Sequence, residues 1–212
     1  QLLPETEFTE ALIDQLREIY RPGRGTVDAF CRWLDALLGS SGLVVFDGSD
    51  PATKPLVRHL FALELEKKGA TSRLAAAAGH ALSELGYHAQ VTPAEDSVAL
   101  FHLGKTRRPI RVRPQATDSF QIDDWDISGT ELRREVSNHP ERFSPSVLLR
   151  PLVQDALFPT VVLVSGPNEL AYLAQLREVY EHFDIPMPVI SPRVSATIVD
   201  RSTLKFLERF DV

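Results

Sequence analysis

Three short stretches carry side chains whose types and spacing can do chemistry: "RPLVQD" with Arg150, Gln154 and Asp155, "SGPNE" with Gly166, Pro167, Asn168 and Glu169, and "SPR" with Arg193. The middle one follows the apolar run "FPTVVLV" and precedes an amphipathic pattern, so it reads as a turn from a strand into a helix. In a parallel α/β sheet ligands bind beyond the carboxyl ends of strands, where such turns sit. Gly166 permits close backbone approach, Pro167 removes a donor and stiffens the turn, and Asn168 tolerates positive φ better than most residues. Glu169 falls in the first helical turn, where a negative charge is favourable. It either caps the helix or accepts from a ribose hydroxyl or an amine, and both readings stay open. Arg150 offers a planar fork to a carboxylate or phosphate, against the plainer reading of pairing with an acidic neighbour. Arg193 is a second anion contact, or else a surface ion pair worth about 0–1 kcal/mol.

Other chemistries fail on context. "GKT" at 104–106 ends like a phosphate-binding loop, but Ala99 stands where the first glycine belongs and no helix follows, so it is a hairpin turn. Ser165 lacks the G-x-S-x-G surround of a hydrolase nucleophile. The six histidines show no metal-ligand spacing, and no metal site is expected. The single cysteine excludes a disulfide framework and fits a reducing, cytoplasmic setting. In "TVDAFCRWLDALLG", Val27, Phe30, Cys31, Leu34, Leu37 and Leu38 fall at helical spacing, which places Cys31 on a buried stripe. A net charge of −6 argues against a nucleic-acid partner. The basic cluster Lys105, Arg107, Arg108, Arg111 and Arg113 reads first as the solvated face of a hairpin and second as an anion contact. No apolar run approaches the ~20 residues of a membrane helix.

The elements that position these residues follow from periodicity and punctuation. Helices are expected from Thr9 to Pro22, from Thr26 to Gly39, across "TKPLVRHLFALELEKKG" and across "TSRLAAAAGHALSELG", with a short strand in "GLVVFDGSDP". Short alternating segments, "HAQVT", "VALFHLG", "RPIRVRP" and "SFQID", form a small β insertion over 87–127. Ser128 and Glu131 make a capping box for the next helix, which Pro140 ends. Pro151 opens a further helix. A strand at 160–164, a helix at 168–182, a strand at 188–190 and a helix from Ser202 complete the pattern. This alternation predicts an α/β fold with a Rossmann-like, largely parallel sheet flanked by helices: residues 1–86 and 128–200 form the core, and 201–212 begin a helical segment.

The stretch from His139 to Thr197 carries R-P-L-x-Q, G-P-x-E-x-x-Y and P-R-x-x-x-T in that order, a combination far more specific than any one of them. It closely resembles the bacillithiol biosynthesis cysteine-adding enzymes, with weaker similarity back through "GLVVFDGSDPATKPL" to about Thr26. The resemblance implies a core related to nucleotidylyltransferases and class I aminoacyl-tRNA synthetases, and addition of cysteine to glucosaminyl-malate. It further implies use of ATP, with ADP held, and a homodimer built on a coiled coil beginning near Asp200. The matching positions are Arg150 and Gln154, then Gly166, Pro167, Glu169 and Tyr172, then Arg193. From side-chain chemistry Arg150, Gln154, Glu169 and Arg193 are read as catalytic, and Gly166, Pro167, Asn168 and Tyr172 as binding. Asn168 stands where the family is expected to have glycine, Leu173 replaces a tryptophan and Ser146 an asparagine. The family's Gly-Gln-Gln loop is absent from this sequence, which therefore resembles a central fragment expected to be inactive alone. The alternatives are a nucleotidylyltransferase-like enzyme and a non-catalytic nucleotide-binding or dimerisation domain.

Overall fold

A computed structural model describes residues 5–114 and 116–210 of the 212. The chain divides into two compact units, Gln1–Thr53 and Lys54–Val212. The expected terminal helical segment is described as far as Phe210, and 211–212 lie outside the described residues.

The first unit holds α1 (Thr9–Ile19) and α2 (Thr26–Leu38). Arg24 reaches back from the connecting turn and donates to the carbonyls of Glu18 (3.1 Å) and Ile19 (2.7 Å), satisfying acceptors that a helix end leaves open. The stripe expected to be buried on α2 is not. The one buried residue of α2 is Ala29, off that stripe, while Cys31 and Leu34 are half-buried and Val27, Phe30, Leu37 and Leu38 are exposed. The expected strand in "GLVVFDGSDP" is irregular backbone, because no strand among the described residues pairs with it.

The second unit begins with α3 (Lys54–Glu66) and α4 (Ala70–Glu84). On α3 the buried positions Val57, Leu60, Phe61, Glu64 and Leu65 trace one stripe at helical spacing. Glu64 therefore occupies a core position. Its carboxylate accepts from the Ala99 N–H at 2.8 Å and the Thr71 hydroxyl at 2.5 Å. Burial pushes its pKa up, and the bonds from Thr71 and Ala99 offset part of that. A carboxyl raised in the folded state stabilises the fold fully below its unfolded pKa and loses that contribution as pH rises through the folded value. Thermal melts from about pH 5 to pH 9 are thus expected to show Glu64→Gln gaining on the parent chain as pH rises. A constant offset across that range would contradict this.

Lys68 (φ 51°) and Gly69 (φ 73°) turn the chain sharply between α3 and α4. A Cβ at Gly69 would lie 2.5 Å from the Ser97 carbonyl, so glycine is required there both by conformation and by space.

Five strands follow: β1 (Ser97–Leu103), β2 (Arg107–Val112), β3 (Ser119–Ile122), β4 (Trp125–Ser128) and, after α5 (Gly129–Asn138), β5 (Phe143–Pro145). They form one sheet in the order β4-β3-β2-β1-β5 with every pairing antiparallel. An irregularity in β1 between Ser97 and Phe101 lets Val98, Ala99 and Leu100 all be buried, against simple alternation. "HAQVT" is not a strand, whereas β4 and β5 were not expected. The Ser128–Glu131 capping box forms as read, with Glu131 N–H donating to Ser128 Oγ at 3.2 Å.

The remaining elements are α6 (Arg150–Leu157), β6 (Val162–Ser165), α7 (Pro167–Leu173), α8 (Arg177–His182), β7 (Val189–Pro192) and α9 (Arg201–Phe210). β6 and β7 pair in parallel. The expectation of a largely parallel sheet is therefore corrected: parallel pairing is confined to these two strands, and the larger sheet is antiparallel. β1 to β4 are joined by hairpin turns of a few residues, too short for a parallel crossover, and β5 reaches the other side of β1 after α5. The helix expected over 168–182 is interrupted at 174–176, where Gln175 and Leu176 donate to carbonyls three residues back. The core joins α3, β1–β3, α5, α6, α7 and α8 through residues such as Phe61, Leu100, Phe120, Leu132, Leu152, Leu173 and Tyr180.

Candidate functional site

The parallel register matches Ser165 with Pro192, so both strands end at one level. Arg193 N–H donates to the Ser165 carbonyl at 2.8 Å, carrying the pairing one step further. Gly166 and Arg193 are thereby held side by side at the carboxyl ends of the two strands, the position at which α/β sheets bind ligands. A Cβ built on Gly166 would lie 2.6 Å from Arg193 Nη2 and 3.7 Å from Glu169 Oε2. The requirement for glycine is thus steric: φ is −73°, an ordinary value, and the absent side chain leaves room for a guanidinium.

Glu169 does act as a cap. Its Oε2 accepts from Gly166 N–H at 2.9 Å, the carboxylate half of a capping box whose glycine has no side chain to return the bond. The Gly166 N–H is consequently occupied. Asn168 does not use its tolerance of positive φ, since it lies in the first turn of α7 with Pro167, and both are exposed. Arg193 forms no ion pair with Glu169 or any other carboxylate among the described residues, so the reading of it as a surface ion pair is not what the structure holds. A guanidinium in that state keeps its donors for an anion.

Gly166→Ala separates these roles. Alanine adopts the same backbone without strain, and only the mobile end of Arg193 must give way. The expected result is a stability change under about 1 kcal/mol. Affinity for an anionic ligand is expected to fall roughly tenfold, about 1.4 kcal/mol. Denaturation and calorimetric titration of the same protein measure the two.

Arg150, which Pro151 helps to set at the start of α6, donates from Nη2 to the Tyr172 hydroxyl at 2.9 Å. Its partner is a neutral phenol on α7, not the acidic neighbour of the plainer reading. Tyr172 lies one turn beyond Glu169, so α7 carries one residue of each contact pair. Gln154 follows Arg150 by one helical turn, half-buried, with no side-chain hydrogen bond among the described residues. The structure thus assembles Arg193, Gly166 and Glu169 in one group and Arg150 and Tyr172 in a second. Pro167 shapes the turn.

Sequence reasoning missed Tyr180. Its hydroxyl, on α8, donates to Asp155 Oδ2 on α6 at 2.6 Å. Burial pushes the phenol well above its usual range, and the bond to Asp155 adds to that. In the sequence Tyr180 belongs to the apolar stripe with Leu173, Leu176 and Val179, and nothing there marks its hydroxyl.

The basic hairpin is largely committed within the fold. Arg111 pairs with Asp96 (2.8 Å), Arg113 with Asp126 (2.7 Å) and Arg108 with Asp123 (3.5 Å), while Arg107 stacks over Phe101. No group of three or more metal-ligating side chains forms among the described residues, and no helix among them is long and apolar enough to cross a membrane.

Residues 1–194 match the family model for the bacillithiol biosynthesis BshC N-terminal Rossmann-like domain. The chain is 37% identical over 211 residues to the "Putative cysteine ligase BshC" of Salinibacter ruber, covering 99% of this chain and 38% of that protein. A protein of the same name from Chlorobaculum tepidum is 35% identical over 210 residues, with 98% and 37% covered. The chain thus spans less than two-fifths of the length of these curated relatives. By this match over nearly its whole length, the chain belongs to the bacillithiol biosynthesis BshC family.

Proposed function

We propose that the protein containing this chain is a ligase of bacillithiol biosynthesis, joining the carboxyl group of cysteine to the amine of glucosaminyl-malate in the last step. The relatives' printed name, cysteine ligase, supports the reaction class. The observation that carries the site is the unpaired Arg193 guanidinium packed over Gly166 at the ends of β6 and β7.

An amide forms only from an activated carboxylate, so a nucleoside triphosphate would supply the leaving group. Arg193 fits such a polyanion, because its fork matches phosphate and has no internal carboxylate to leave. Arg150 supplies further donors, since its bond to Tyr172 uses one of five N–H groups. Donors aimed at developing negative charge in acyl transfer are among the larger contributions to catalysis. Gln154, free on the same face, would orient a substrate amide or hydroxyl. Glu169, holding the Gly166 N–H, keeps the turn in place while its other oxygen stays available to a ribose hydroxyl or an amine. Amphipathic α9, with Leu204, Phe206 and Phe210 exposed, fits the start of a dimerising coiled coil.

The test is the full-length protein incubated with cysteine, ATP and glucosaminyl-malate, with mass detection of the product. Cysteine-dependent formation of bacillithiol supports the reading. Pyrophosphate release that needs no cysteine would move it to a nucleotidylyltransferase. No turnover under conditions in which a homologue works would sink it.

A further inference from the structure

The Asp155 carboxylate is half used. Oδ2 accepts from Tyr180, whereas Oδ1 is sealed from solvent and finds no donor among the described residues. A buried carboxylate oxygen without a protein donor is costly, and it calls for a ligand, an ordered water or a role in mechanism. Asp155 lies on α6 with two further site residues, Arg150 and Gln154. Arg150 is held by one bond to a neutral hydroxyl, and Gln154 by none among the described residues. Side-chain hydrogen bonds tie α6 to both following helices, Arg150 to Tyr172 on α7 and Asp155 to Tyr180 on α8, and the two tyrosines belong to one core.

We propose that Asp155 is the ammonium-binding residue of the site: its free Oδ1 accepts from the α-ammonium of an amino-acid substrate whose carboxylate is taken by Arg150. One helix would then present an anion and a cation to the two ends of a zwitterion. Arg150 exchanges the Tyr172 hydroxyl for the stronger, charge-assisted partner, and the side chains around Oδ1 give way to the ammonium. Tyr180 occupies Oδ2 and leaves Oδ1 for the ammonium. The identification of the amino acid as cysteine rests on the ligase reading above.

The experiment is calorimetric titration of the full-length protein with cysteine and with 3-mercaptopropionate, which keeps thiol and carboxylate but lacks the ammonium. Glucosaminyl-malate and a non-hydrolysable ATP analogue are present throughout. Asp155→Asn retains an oxygen for the Tyr180 hydroxyl and replaces the free acceptor with a donor. The expected result is a preference for cysteine in the parent protein that falls tenfold or more in Asp155→Asn, with unchanged melting temperature. Tyr180→Phe, which leaves the Asp155 side chain unaltered, is expected to retain the preference and serves if Asp155→Asn folds poorly. Equal binding of the two ligands by the parent protein overturns the proposal. So does a preference that survives Asp155→Asn, a preference lost in Tyr180→Phe, or binding of neither ligand. A protein that makes no bacillithiol yet shows the Asp155-dependent preference refutes the ligase reading and leaves this one standing.

Discussion

Arg193→Ala in the full-length protein is expected to lower kcat/KM by about 10²–10³-fold, roughly 3–4 kcal/mol, the range for removal of one preorganised donor at a developing charge. Stability is expected to be unchanged, because the side chain is exposed and pairs with no carboxylate among the described residues. Arg193→Lys tests the fork against the charge. Lysine keeps the positive charge but cannot make two parallel bonds to a phosphate or carboxylate, so recovery is expected to be partial. Steady-state kinetics beside thermal melts decide the matter. Loss of activity in step with loss of stability would mean that Arg193 is a structural residue.

Gln175→Ala is expected to be the most damaging single change outside the site, lowering stability by about 3–4 kcal/mol. The side chain is fully buried at the break between α7 and α8. Its amide donates to the Ala75 carbonyl at 3.0 Å and the Val91 carbonyl at 2.8 Å, and it accepts from Val91 N–H at 3.0 Å. Alanine leaves a cavity and strands both polar groups of Val91. Gly79 on α4 makes room for the glutamine, since a Cβ there would lie 2.8 Å from its Nε2. This predicts coupling. Gly79→Ala should cost clearly less in a Gln175→Ala background than alone, and the Ala89 Cβ at 3.2 Å sets the residue of that cost. Urea denaturation of the four proteins of this cycle on the 212-residue chain supplies the test. Strict additivity would show that the two residues do not meet.

By itself the sequence determined the elements whose signals are local. The apolar stripe of α3, the Ser128–Glu131 capping box, the Pro151 start of α6 and the turn after β6 all depend on residues within one or two helical turns, so the chain encodes them at short range. The motif residues were legible for the same reason. Only the tertiary structure decided what each did with its neighbours. That Arg193 lies over Gly166, that Arg150 bonds a phenol and that a buried glutamine ties the break between α7 and α8 to α4 are contacts between residues 22 to 100 positions apart. Strand direction belongs with them. Alternating strands and helices suggested parallel pairing, but hairpin turns of a few residues set β1 to β4 antiparallel. The stripe on α2 marks the limit from the other side. Periodicity specifies which face of a helix is apolar, whereas burial requires another surface against that face, and no short-range pattern contains one.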